Sequence, residues 1–74
     1  MNIAKIVGGN IKVARKAKGY TQSYVAKVFH MTQQQFSRFE NGVFELNYKQ
    51  IYDLCKFLSI TPNELFDIEK DKIL

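Results

Sequence analysis

Between residues 33 and 38 the chain reads Gln-Gln-Gln-Phe-Ser-Arg, setting three carboxamides and one guanidinium within little more than one helical turn. A carboxamide carries a donor and an acceptor side by side, and that pair matches N6 and N7 of adenine. A guanidinium fork matches O6 and N7 of guanine. On a helix beginning at residue 33, Gln33, Gln34 and Gln35 occupy the first turn and Arg38 projects one turn later. These four are the candidate base readers. Three adjacent glutamines pack no core and, on this reading, cap nothing, so burial does not account for them.

Other chemistry finds little footing. His30 is the single histidine and Cys55 the single cysteine, so one chain can assemble neither a zinc site nor a disulfide. No nucleophile–base–orienter set stands out, and Gly8-Gly9 alone is no phosphate loop. The expectation is a non-enzyme without cofactor or metal. His30 is read as a turn residue. No apolar run approaches the roughly 18 residues of a membrane span, and MNIAKIVGGNIK does not have the pattern of a signal peptide. A cytoplasmic chain with a reduced, structural cysteine is expected.

Charge is unevenly divided. Residues 1–38 carry Lys5, Lys12, Arg15, Lys16, Lys18, Lys27 and Arg38 with no acid, whereas residues 39–74 carry seven acids against four lysines. The net charge of +4 therefore hides a basic half and a mildly acidic half. That division suits a polyanion on one side and a different partner on the other. Tyr24 and Lys27 are candidate phosphate contacts; Lys12, Lys16, Tyr48 and Lys49 are weaker ones.

The elements that must position these groups are helical. Seventy-four residues make one domain, 46% hydrophobic, with apolar residues at helical spacing throughout. A first helix is expected over about 3–18, with Ile3, Val7, Ile11 and Ala14 on one stripe, Gly8 and Gly9 weakening its start, and Gly19 ending it. Thr21 caps a second helix over 22–29, with Val25, Val28 and Phe29 inward. Thr32 caps a third over 33–41, with Phe36 and Phe39 inward and Gly42 as its stop. Asn47 caps a fourth over 48–59, burying Ile51, Leu54, Cys55 and Leu58. Thr61, Pro62 and Glu64 form a capping box opening a fifth, with Leu65 and Phe66. The tail, 67–74, is left unassigned. The fold class is all-α, five short helices, with a helix-turn-helix at 21–41 in which Ala26 allows close approach.

These residues carry a resemblance. TQSYVAKVFHMTQQQFSRFENG is similar to the helix-turn-helix of the lambda-repressor and Cro family (Xre-type regulators), and the likeness runs from about Ile11 to Phe66. It implies a five-helix domain that binds double-stranded operator DNA, usually as a symmetric dimer on a palindrome. It implies that Gln22 contacts phosphate and braces Gln33, that Gln33 reads a base, and that Gln34, Gln35 and Arg38 share that face. Asn41 and the backbone after Gly42 correspond to phosphate contacts, and Arg15 and Glu40 to a buried ion pair. Three positions depart from the pattern: His30 replaces a turn glycine, Leu46 stands where proline is common, and Val43-Phe44 are apolar in a loop expected near phosphate.

A homodimer is expected through the fifth helix and the loop before it, with Leu58, Ile60, Pro62, Leu65 and Phe66 as candidates. The competing reading is an antitoxin or protein-interaction module, in which the acidic half and the apolar Ile68, Ile73 and Leu74 serve a protein partner.

Overall fold

The computed structural model describes residues 1–68, so Ile73 and Leu74 lie outside the described residues. Five helices follow in order: α1 (Ile3–Ala17), α2 (Gln22–Val28), α3 (Gln33–Glu40), α4 (Tyr48–Leu58) and α5 (Pro62–Phe66). Every helix opens on an Asn or Thr whose side chain accepts an early backbone N–H: Asn2, Thr21, Thr32, Asn47 and Thr61. Three of these starts are reciprocal boxes, in which Gln35, Gln50 and Glu64 reach back to the capping residue's own N–H.

The helix ends share one device. A residue in the left-handed region follows each helix, at Gly19, His30, Gly42, Ser59 and Asp67. The residue after it returns its N–H to a carbonyl five positions back: Tyr20 to Arg15, Met31 to Ala26, Val43 to Arg38, Ile60 to Cys55 and Ile68 to Asn63. Only two of the five left-handed residues are glycine, so three ends carry no glycine signal in the sequence. The residues expected to close the first four helices, Lys18, Phe29, Asn41 and Ser59, are their C-caps instead.

Val7, Ile11, Ala14, Val25, Ala26, Phe36, Leu54, Cys55, Leu58 and Leu65 form one buried cluster drawn from all five helices. The apolar stripes differ from expectation in places. Ile3 is 55% exposed at the rim of a groove also lined by Val7, Phe39 and Phe44. Val28 is 39% exposed, because the inward stripe of α2 runs through Val25, Ala26 and Phe29 and leaves Val28 to one side. Phe29 and Ile51 pack against the cluster but are only half-buried, as is Phe39 beside the groove.

The two early glycines do not delay α1, which runs straight through them. Gly8 is buried where α1 meets the end of α3, and a Cβ there would overlap the carbonyl oxygens of Phe39 and Glu40. Gly9 faces open space. At the other end of the chain, Asn10 donates to the carbonyls of Glu64 and Leu65, fastening α5 onto α1. Among the described residues no helix is long and apolar enough to cross a membrane.

Candidate nucleic-acid interface

The α2–α3 pair is locked from within. Val25 and Phe36 are fully buried, and Ala26 is 1% exposed at the close approach. The Ala26 carbonyl accepts the Met31 N–H at 2.8 Å, which turns the chain sharply between the helices. His30 holds φ 57° at that turn, a conformation that costs most side chains energy. It acts there as a turn residue. Among the described residues no group of three His, Cys, Asp or Glu side chains could hold a metal ion.

Beneath α3 lies a polar cluster. Arg15 Nε donates to Glu40 Oε2 at 2.6 Å and Nη2 to Oε1 at 3.2 Å. Nη1 reaches the Tyr20 carbonyl at 2.8 Å. Gln22 Nε2 adds a fourth bond, to Glu40 Oε1 at 2.8 Å. Arg15 is 7% exposed and Glu40 4%, and no buried polar side-chain atom among the described residues lacks a partner. One carboxylate therefore joins α1, the start of α2 and the end of α3. Buried ion pairs add little net stability compared with apolar replacements, but losing one partner is costly. Here the pair and Gln22 tie the end of α3 to α1 and to the start of α2.

The exposed first turn of α3 differs from expectation in two details. Gln33 is braced by Ser23, whose hydroxyl donates to Gln33 Oε1 at 2.8 Å; Gln22, committed to Glu40, makes no such bond. Gln35 is not idle either. Its Oε1 accepts the Thr32 N–H at 2.9 Å, completing the helix cap. The Thr-x-x-Gln spacing carried that signal in the sequence. Gln34 is exposed, with no side-chain hydrogen bond among the described residues, and keeps its donor and acceptor available.

Arg38 is exposed on the last turn of α3, its guanidinium carbon 5.6 Å from the centre of the Phe44 ring. Asn41 caps the C-terminus of α3 and is exposed, its Nδ2 3.4 Å from the Ser37 hydroxyl. Lys27 is exposed, and so is Tyr24, whose ring centre lies 5.0 Å from that of Tyr20 and 6.2 Å from that of Phe57. Lys5, Lys12, Lys16 and Lys18 are also exposed, so the basic half of the chain, Arg15 apart, presents its charge to solvent.

The proposed contacts between subunits divide. Leu58 and Leu65 are 2% and 0% exposed and belong to the core, so neither has surface to offer a second subunit. Ile60 and Phe66 are half-buried and Pro62 is exposed. Ile60 and Pro62 line an apolar groove between α4 and α5 with Ile51, Tyr52 and Cys55.

The family model described as Helix-turn-helix matches residues 11–65, and the chain belongs to this family of lambda-repressor-like, Xre-type domains. The family is one of DNA-binding regulators, and the five-helix all-α fold is the one it uses. No curated protein and no solved structure matches the chain at a significant level.

Proposed function

We propose that this chain is a sequence-specific transcriptional repressor that binds a palindromic operator as a homodimer, with α3 in the major groove of each half-site. The observation that carries this reading is the first turn of α3. Gln33 is held by Ser23 and Gln34 stands free, both exposed on a helix that the Arg15–Glu40–Gln22 cluster fixes in place. Exposed carboxamides on a rigid helix match the adenine edge, and Arg38 on the same helix matches guanine. Gln35 reaches a base only through its Nε2, since its oxygen serves the Thr32 cap.

Gln22, Tyr24, Lys27 and Asn41 are assigned to phosphate. Gln22 uses one amide hydrogen on Glu40 and has a second to donate. The dimer is assigned to the α4–α5 groove, through Ile60 and Pro62 with Tyr52 beside them, and to the half-buried Phe66 of α5, which would set two α3 helices about 34 Å apart.

Selection of bound duplexes from a random pool tests the reading as a whole. Two inverted half-sites about one DNA turn apart are expected, with affinity falling steeply as salt rises because the lysines displace counterions. Gln33→Ala and Gln34→Ala should each relax preference at one base pair per half-site, by about 1–3 kcal/mol. Enrichment of no motif, together with salt-insensitive binding to a protein, would favour the interaction-module reading.

A further inference from the structure

We infer that Phe44 is a positioning residue for Arg38, presenting its guanidinium to a base without using any of its donors. This rests on the base-reading role proposed for Arg38 and adds a residue outside the helix-turn-helix to the specificity apparatus.

The loop carrying Phe44 is tied to α3 at Arg38 itself. The turn at Gly42 brings the Val43 N–H to the Arg38 carbonyl at 2.9 Å, so the next residue lies alongside the last turn of α3. The Phe44 ring meets Phe39 nearly edge-on, 6.1 Å between centroids and 66° between planes. Supported in this way, the ring lies 5.6 Å from the Arg38 guanidinium carbon. The aromatic face attracts the cation through its quadrupole.

The manner of holding matters. A carboxylate partner would occupy the same N–H groups that a guanine O6/N7 edge needs. An aromatic face restrains a long, rotamer-rich side chain and leaves its fork of five donors uncommitted. Among the described residues Arg38 makes no ion pair and no side-chain hydrogen bond, so it is the Phe44 ring that restrains its side chain. Phe44 is 46% exposed, an unusual position for a phenylalanine whose role was only to fill the core.

The test uses the full chain and the duplex recovered from random-pool selection, with every base pair of one half-site substituted in turn. Arg38→Ala locates the base pair that Arg38 reads. Phe44→Leu is expected to lower discrimination at that base pair about two- to fivefold, the range of an exposed cation–π contact, and to leave the Gln33 and Gln34 positions unchanged. Phe44→Trp should retain it, and Phe44→Leu should have no further effect on discrimination in the Arg38→Ala background. Circular dichroism establishes that each variant is folded, and Phe44→Trp supplies the readout if Phe44→Leu is not. A Phe44→Leu loss that is equal across all duplexes, or that persists in the Arg38→Ala background, overturns the inference. So does a Phe44→Trp loss as large as that of Arg38→Ala. If Arg38→Ala relaxes no base pair, the base-reading role fails and this inference with it. If Arg38→Ala relaxes one and Phe44→Leu does not, only the inference fails.

Discussion

Gln22 donates to Oε1 of Glu40 at 2.8 Å, the same oxygen that Arg15 approaches with Nη2 at 3.2 Å. The first residue of α2 and a residue of α1 thus share one buried carboxylate at the end of α3. The end of α3 is therefore tied to both α1 and α2 through a single side chain.

Removing one member should expose that dependence. Arg15→Met leaves the Glu40 carboxylate buried without its cation, and a loss of about 3–5 kcal/mol is expected in urea unfolding. Arg15→Met with Glu40→Leu should recover most of that stability. Operator affinity should stay below wild type in the double variant, because Gln22 has lost its anchor. A double variant with full affinity would show that the cluster has no part in aiming α3.

Gly8 and Gly9 should respond in opposite directions to the same change. Gly9→Ala meets open space and gains helix propensity, about 1 kcal/mol of stability. Gly8→Ala drives a methyl into the carbonyls of Phe39 and Glu40, where backbone must move, with a net loss of about 1–3 kcal/mol. Thermal melts of the two variants read the contrast directly.

His30→Gly should raise the melting temperature. The residue sits at φ 57°, where a side chain is strained and glycine is not. Glycine's greater freedom in the unfolded chain offsets part of the gain, leaving about 0.5–1 kcal/mol. His30→Ala keeps the strain and should show no such rise.

Glu64 gives α5 a pH dependence. Hydrogen bonds from the Thr61 backbone N–H, and then from its hydroxyl, hold the Glu64 carboxyl below its ordinary value of 4.5. The folded state favours the charged form, so this contribution is present above pH 4.5 and is lost as pH falls through the folded value. Glu64→Gln does not titrate. Its difference in urea midpoint from wild type should be greatest near neutrality and vanish in acid.

Ser23→Ala should weaken reading at the Gln33 base pair without abolishing it. The hydroxyl only orients the carboxamide, so a loss of about 0.5–1 kcal/mol in discrimination is expected, less than for Gln33→Ala. Competition between duplexes differing at that base pair measures both. Equal losses would mean that Gln33 cannot read the base without its brace.

Much of this domain was legible in the residues alone, because the signals are local. Thr21, Thr32, Asn47 and Thr61 cap helices through chemistry carried by their own side chains, and Gly19 and Gly42 end helices because they accept a positive φ. The division of charge at residue 38 needs no coordinates. Tertiary structure decided what depends on how helices cross. Periodicity names a helix face but not its depth, so Val28 proved to be surface and Ile51 only half-buried. The resemblance implied that Gln22 braces Gln33, but the crossing of α2 over α3 gave Ser23 to Gln33 and Gln22 to Glu40. The same packing let His30, Ser59 and Asp67 serve where glycine is usual, since contacts elsewhere offset their backbone strain. The residues proposed to read bases, Gln33, Gln34 and Arg38, were thus visible as types. Glu40 was already paired with Arg15 by the resemblance, whereas the contacts of Ser23 with Gln33, of Gln22 with Glu40 and of Phe44 with Arg38 became assignable only once the chain was folded.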